Sequence, residues 1–377
     1  MVEGLLLVLA ILSSAGLLLL AWAAYAATFP TTNDFRPTVD IIIAARNEEK
    51  RIGACLDSII RLTYEKHLLQ VVVVDDRSTD ETAAIVSRYA AAHPWIRLIT
   101  ALPESDHLRG KTNAVTQGIE ATSGEILLFT DADCEVPEEW VDITVKHFAD
   151  RATGLVAGFT SLRGNSPFAE VQALDWFVLF SVASAMIRIG LPVTAVGTNL
   201  SVRRVAYESV GGYRAIPFSV TEDYALFHAI THAGGYRAAM PRESGAMVVS
   251  HPCASWQELY RQKKRWFAGG KGMTPWMLLL FSIPYFLNLL LVVGLFIDPA
   301  SILLPLGIKC GTDFILCASS LTRFNRWKLL RSFLPFEAYF FFYVLAYPPI
   351  VLFRDAVVWK ERDFGIPAAE HTNAPSS

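Results

Sequence analysis

Residues 124–137 read GEILLFTDADCEVP. Ile126-Leu127-Leu128-Phe129-Thr130 is a short apolar run behind a glycine, the pattern of a strand buried on both faces of a parallel sheet. It ends in two carboxylates, Asp131 and Asp133, one residue apart. In an open α/β sheet, ligands bind beyond the carboxyl ends of the strands. Two acids there can hold a divalent cation such as Mg²⁺ or Mn²⁺, with phosphate oxygens completing its shell. Taken alone, the pair reads equally well as an acidic turn capping a helix that starts near Pro137.

Working outward, residues 38–45 (TVDIIIAA) are another buried-strand candidate. Arg46-Asn47-Glu48-Glu49 breaks it and opens an amphipathic helix with Ile52, Leu56, Ile59 and Ile60 on one face. Residues 70–74 form a further strand ending at Asp75-Asp76, and Ser78-Thr79-Asp80-Glu81-Thr82 supplies N-cap chemistry for the next helix. A weaker strand at 96–100 and a helix at 111–121 lead back to the opening stretch. Strands alternating with helices make a parallel, doubly wound sheet the expectation. Beyond it, strands are expected at 154–161, at 195–202 (containing Gly197-Thr198-Asn199) and at 246–250. A helix capped by Thr221-Glu222-Asp223 should run to about residue 233. Residues 168–189 are long, apolar and aromatic, but Glu170, Asp175 and Arg188 make them a poor bilayer span. They read as a helix at the membrane interface, lining an acceptor groove, or as an ordinary buried helix.

The 377 residues are 53% hydrophobic and only 18% charged, against about 25% charged in a typical soluble domain. Part of the chain is therefore expected in lipid. Residues 4–27 are apolar and uncharged at spanning length. Ala24-Tyr25-Ala26 resembles a cleavage site, but the start carries no Lys or Arg, which favours a retained anchor. Further spans are expected at 276–297, 301–321 and 333–353. Lys309 and Asp313 lie four apart in the second of these, as a possible pair on one helix face. Arg36, Arg46, Lys50 and Arg51 favour a cytoplasmic location after the first span. Arg323, Arg326, Lys328 and Arg331 do the same for the loop between the last two. The net charge of −3 carries no nucleic-acid signature. Five scattered cysteines argue against a disulfide framework or structural zinc and suit a reducing compartment.

Three further motifs bear on chemistry. Asp75-Asp76 could bond a base or ribose, or could simply sit at a helix N-terminus. Gly110-Lys111-Thr112 imitates the end of a phosphate loop, but the first glycine of that motif would fall at Ser105. Gln262, Arg265 and Trp266 occupy one helical turn: Arg can neutralise a diphosphate bidentately, and Trp offers a face on which a sugar ring stacks. Trp256, Trp276, Lys263 and Lys264 read instead as a headgroup-level belt before a membrane span.

In this order, residues 41–48, Asp75-Asp76-Arg77-Ser78-Thr79-Asp80, Gly110-Lys111, Asp131-Ala132-Asp133, Gly197-Thr198-Asn199, Thr221-Glu222-Asp223 and Gln262-Lys263-Lys264-Arg265-Trp266 resemble the motif series of family 2 glycosyltransferases. The resemblance is to the membrane-integrated branch containing cellulose, chitin and hyaluronan synthases and ceramide glucosyltransferases. It implies an α/β, GT-A catalytic domain (Rossmann-like, with a mainly parallel open sheet) plus transmembrane α-helices. It also implies a nucleotide-diphosphate sugar donor, in particular a UDP-sugar, a divalent cation and inversion at the anomeric carbon. Ala44, Arg46 and Glu48 would line the base and ribose pocket, Asp76 would contact the nucleoside, and Lys111 would lie near it. Asp131 and Asp133 would be the metal pair, with Asp133 the direct ligand. Asp223 would be the general base beside Glu222. Gln262, Arg265 and Trp266 would close over the diphosphate and the acceptor end. Ala44-Ala45-Arg46 departs from the Pro-x-Tyr common in the family before the Asn.

The expected organisation is an N-terminal transmembrane helix (1–30), a cytoplasmic catalytic domain (36–250), an interfacial Gln-x-x-Arg-Trp region (251–275), about three C-terminal transmembrane helices (276–355) and a tail (356–377). This describes a multi-pass membrane protein, of a bacterial inner membrane, with no nucleic-acid partner. A membrane lipid is the preferred acceptor, because the apolar region is small for a polysaccharide channel. A processive polysaccharide synthase is the alternative. A nucleotidyltransferase would show a glycine-rich signature after the first strand, which 44–48 lacks, and a non-catalytic scaffold would be expected to lose Asp131, Asp133 or Asp223.

Overall fold

The computed structural model describes residues 2–26, 31–32, 34–105, 107–269, 275–352, 357–359 and 362–364. The chain opens with helix α1 (Val2–Ala26) and then alternates strand and helix: β1 (Val39–Ala45), α2 (Ile52–Ile60), β2 (Leu69–Asp75), α3 (Thr82–Ala92), β3 (Ile96–Thr100), α4 (Gly110–Glu120), β4 (Ile126–Phe129) and α5 (Trp140–Lys146). The second half runs β5 (Thr153–Ala157), β6 (Thr160–Leu162), α6 (Pro167–Arg188), β7 (Leu200–Arg203), α7 (Arg204–Ser209), α8 (Gly212–Ala215), α9 (Glu222–His228), β8 (Arg237–Ala239), β9 (Val248–Ser250) and α10 (Trp256–Gly269). Helices α11 (Pro275–Ile297), α12 (Leu303–Arg323) and α13 (Phe333–Leu352) come next, then a short antiparallel hairpin of β10 (Val357–Trp359) and β11 (Arg362–Phe364).

The main sheet has seven strands in the order β3-β2-β1-β4-β7-β5-β8. The first four are parallel. Ile41, Ile43, Val71, Val73, Ile126 and Leu128 pack towards one set of helices, while Ile42, Val72, Val74 and Leu127 pack towards the other. Burial of both faces explains why these strands read as unbroken apolar runs. β7 pairs antiparallel with β4 and β5, so the sheet is mainly but not wholly parallel. The chain enters β7 from a 3₁₀ turn, Gly197–Asn199, at the carboxyl end of β4, where the Thr130 hydroxyl donates to the Thr198 carbonyl at 3.0 Å. A strand entered from that end can only run backwards.

Three sequence expectations change. The single strand at 154–161 is two, β5 and β6, and β6 leaves the main sheet to pair with β9. The break falls at Gly158, where an added Cβ would lie 2.1 Å from the Asn199 amide. That amide donates to the Phe159 and Ala246 carbonyls and accepts from the Trp140 indole, each at 2.9 Å. The strand at 195–202 is half turn and half strand, because Gly197–Asn199 is shaped by the site rather than the sheet. The helix from 222 does run to Ala233, but its last turn, Ala229–Ala233, is π-helical rather than α-helical. Edge strand β8 is three residues long, too short for a periodic signal.

For residues 168–189, burial decides for a helix inside the protein. Helix α6 is long and apolar enough to cross a membrane, yet 83% of its most apolar window is buried in the protein. Its start is fixed by Ser166, whose side chain accepts from Ala169 N–H, and by Pro167 in the first turn. Its buried Glu170 takes hydrogen bonds from Arg331 and Ser332, which lie between α12 and α13. Two other segments are long and apolar enough to cross a membrane, Leu303–Arg323 and Trp327–Ala346, with 33% and 22% of their windows buried. Helices α1, α11, α12 and α13 form where the sequence placed four spans. The expected Lys309–Asp313 pair is made at 2.9 Å, and Glu337 of α13 joins it as a second carboxylate.

Candidate functional site

The parallel strands end on one side of the sheet, and the loops and helix starts beyond those ends build one cavity of ≈ 230 Å³. Ala44, Arg46 and Glu48 come from the end of β1, Asp76 from the end of β2, and Asp131 and Asp133 from the end of β4. Lys111 comes from the first turn of α4, Glu222 and Asp223 from that of α9, and Gln262, Arg265 and Trp266 from α10. Every site residue expected from the sequence therefore lines this cavity. Arg51, Trp176, Thr198, His251 and Glu258 line it as well.

The loops after β1 and β2 are laced together. Asn47 and Arg77 both adopt left-handed backbone, with φ of 53° and 56°. Asn tolerates this conformation, and Arg does so only under constraint. Asn47 N–H donates to the Ser78 hydroxyl at 3.0 Å, its side-chain oxygen accepts from Thr79 N–H at 2.9 Å, and Glu48 N–H donates to Thr82 Oγ1 at 2.8 Å. Arg46 donates to the Asp76 carbonyl at 2.9 Å, and its guanidinium lies 3.8 Å from the buried Asp76 carboxylate. The departure at Ala44-Ala45-Arg46 therefore leaves a wall of two small side chains and one cation.

Lys111 stands at the centre. Its ammonium is 2.6 Å from Asp131 and 3.0 Å from Glu222. Burial alone would lower its pKa, but the carboxylates of Asp131, Glu222 and Asp223 outweigh burial and hold it above the ordinary lysine range. Asp223 is set differently. One carboxylate oxygen accepts from Gly197 N–H at 2.6 Å and the other from Tyr224 N–H at 2.8 Å. Burial, and then the neighbouring Glu222 charge, push its pKa up to about 6 against the pull of Lys111 and the two N–H donors. A Cβ at Gly197 would stand 3.3 Å from both the Asp223 carboxylate and the Lys111 ammonium, so glycine lets the turn approach both.

On α10, Gln262 Oε1 is buried and has no hydrogen-bond partner among the described residues. Trp266 packs on Trp176 with ring centroids 5.7 Å apart. One expectation fails here: Lys263 is not part of a headgroup belt, because it is 2% exposed and ion-paired with Asp175 of α6. Trp256, 63% exposed, does face outward.

Asp131 and Asp133 offer hard oxygen ligands of the kind Mg²⁺ and Mn²⁺ prefer. Asp133 lies 3.6 Å from the Arg51 guanidinium. Among the described residues no group of three or more His, Cys, Asp or Glu side chains is placed to hold a metal ion. The donor set fits such a cation only when other oxygens, those of a diphosphate, fill the remaining positions.

Sequence reasoning passed over Arg51, Trp176 and His251. His251 stands just past the end of β9, and burial holds its imidazole pKa below the ordinary value. A strand end is the one signal that could have found it. Trp176 lies inside a long apolar run where nothing separates a core aromatic from a cavity wall.

Residues 40–211 match the family model for "Glycosyl transferase family 2", and residues 126–352, more than half of the chain, match that for "Glycosyl transferase family group 2". The chain belongs to glycosyltransferase family 2. As a member it is a glycosyltransferase, and its fold is of the GT-A type. Glycosyltransferase AglE of Haloferax volcanii is 27% identical over 243 residues, which are 64% of this chain and 75% of AglE. The poly-beta-1,6-N-acetyl-D-glucosamine synthase of Staphylococcus aureus is 26% identical over 236 residues, 62% of this chain and 54% of the synthase. The chain thus spans about half the length of that bacterial relative. Among solved structures, the mannosyltransferase PcManGT of Pyrobaculum calidifontis, in complex with GDP-Man and Mn²⁺, superimposes with a TM-score of 0.61 at 23% identity. That match covers 88% of this glycosyltransferase and 97% of PcManGT.

Proposed function

We propose that this family 2 glycosyltransferase transfers a sugar from a nucleotide-diphosphate donor, a UDP-sugar, to the hydroxyl of a membrane lipid, with inversion at the anomeric carbon. One observation carries the reading: Asp223, raised to about 6, shares a cavity with the Asp131 and Asp133 pair and with Lys111. A base whose pKa lies just under the working pH is both deprotonated and basic enough to take a proton.

In this reading Asp223 accepts the acceptor's hydroxyl proton as that oxygen forms its bond to the anomeric carbon, and the bond from that carbon to the diphosphate breaks. Arg46 and Asp76 bind the nucleoside between the laced loops, with Ala44 and Glu48 beside them. Asp133, with Asp131, would hold a divalent cation, which when bound neutralises charge on the diphosphate. Arg265 and Lys111 add fixed positive charge on the same side. Gln262 presents an unmet acceptor for a hydroxyl or amide N–H, and Trp266 presents a ring face to a sugar. Glu222 keeps Lys111 in place and raises the basicity of Asp223.

A lipid acceptor is supported by position. Helix α10 forms one wall of the cavity and touches α13 through Phe267 and Tyr343, with centroids 6.3 Å apart. In this reading α1, α11, α12 and α13 cross the bilayer and the catalytic domain lies on its cytoplasmic side. The staphylococcal relative gives the second reading, a growing polysaccharide as acceptor. The test is donor label in membranes: the proposal expects it in the organic extract, and the second reading in high-mass aqueous material.

A further inference from the structure

The turn of α10 that faces the cavity is braced from beneath by a buried charge that sugar transfer does not itself require. Lys263 lies between Gln262 and Arg265 in sequence, yet its side chain turns inward to the Asp175 carboxylate on α6. The same ammonium lies 4.4 Å from the Trp266 ring centroid and 4.9 Å from that of Tyr343 on α13. Tyr339, one turn earlier on α13, donates to the same Asp175 carboxylate at 3.4 Å and stacks on Tyr343 with centroids 5.7 Å apart. Trp176, next to Asp175 in sequence, packs against the other partner, Trp266.

An apolar side chain could fill this space without desolvating two charges, and such replacements of a buried ion pair are often neutral for stability. What the charge adds is direction. A cation over an aromatic face favours one ring placement, and the ion pair to Asp175 fixes where the cation sits. Lys263 and Trp266 are three residues apart on one helix and so are side-chain neighbours.

We propose that Lys263 is a positioning residue: anchored by Asp175, it sets the angle at which Trp266 and Arg265 meet the donor and acceptor, and ties that angle to the seating of α10 between α6 and α13. The inference rests on the reading of Trp266 and Arg265 as site residues. The test uses the full chain in detergent with sugar-labelled UDP-glucose, UDP-N-acetylglucosamine and GDP-mannose assayed singly, and compares Lys263→Met, Lys263→Met/Asp175→Leu, Trp266→Phe and Lys263→Met/Trp266→Phe.

The apolar pair Lys263→Met/Asp175→Leu is expected to keep its Tm within about 2 °C. It is also expected to keep UDP–Mn²⁺ binding within about twofold while kcat falls about tenfold or more. On the Trp266→Phe background, Lys263→Met should cost less than about twofold further, because its effect runs through that ring. Full kcat in the apolar pair, or an equal loss from Lys263→Met on both backgrounds, overturns the proposal. Those outcomes leave the site reading intact as long as Trp266→Phe alone impairs transfer. An unimpaired Trp266→Phe overturns both.

Discussion

At the scale of the residue, two carboxylates of one cavity, both acting on the same lysine, are given different tasks by their surroundings. Asp131 pairs with Lys111 at 2.6 Å, whereas Asp223 is half-buried, bonded by two backbone N–H groups and raised to about 6. That difference fixes the sign of the pH dependence. A base must be deprotonated to act, so transfer should be level above about pH 6 and fall about tenfold per unit below it. Asp223→Asn should keep nucleotide binding and lower transfer by about 10²-fold or more. An initial-rate profile of the wild type checks the first expectation, and binding beside turnover in the variant checks the second. Asp133→Ala should weaken Mn²⁺-dependent UDP binding by about 10–100-fold and leave metal-free UDP binding alone. Calorimetry with and without chelator would show it, and unchanged binding in Mn²⁺ would count against the ligand role.

Asp76, Asp131 and Asp133 were legible because each is a carboxylate placed where a buried apolar run stops, whereas Lys111, Glu222 and Asp223 open helices and Gln262, Arg265 and Trp266 share one helical turn, so only the order of the motifs pointed to them. Asp76 comes after a run of valines, and Asp131 after Ile126-Leu127-Leu128-Phe129. Lys263 and Trp176 were not legible for the converse reason. A lysine in a basic stretch and a tryptophan in an apolar one look like surface and core, and only the contact between α6 and α10 makes them neighbours of the cavity.

At the scale of the element, the parallel half of the sheet could be read from hydrophobic runs, and the irregular half could not. The break between β5 and β6 and the turn into β7 meet at one side chain, Asn199, which closes three hydrogen bonds among segments distant in sequence. No period encodes that. Asn199→Ala would strand the Trp140 indole N–H and the Ala246 carbonyl, while the Phe159 carbonyl keeps Val248 N–H, at a cost of about 2–5 kcal/mol. A fall in Tm of about 5–10 °C, followed by thermal unfolding in detergent, is the expected result. The triad of Lys309, Asp313 and Glu337 makes a parallel case in the apolar helices. Lys309→Met leaves two carboxylates without their cation and should cost about 3–5 kcal/mol. Neutralising the carboxylates as well (Lys309→Met/Asp313→Asn/Glu337→Gln) should recover much of that loss, as measured by the same unfolding assay.

At the scale of the whole molecule, α6 joins the two halves. It is as apolar as a membrane helix yet lies within the protein, held by Glu170 to the segment before α13 and by Asp175 to α10. Composition could show that part of the chain suits lipid, but not that one of its most apolar helices would be spent on linking the catalytic sheet to the rest. The linkage places the cavity wall beside helices suited to a bilayer, which is why a lipid hydroxyl is the proposed acceptor. The most direct test incubates membranes holding wild-type or Asp223→Asn protein with sugar-labelled UDP donors and extracts them with organic solvent. Label is expected in the lipid phase with the wild type and about 10²-fold less with the variant. Label confined to high-mass aqueous material, or equal lipid labelling by both proteins, would contradict that expectation.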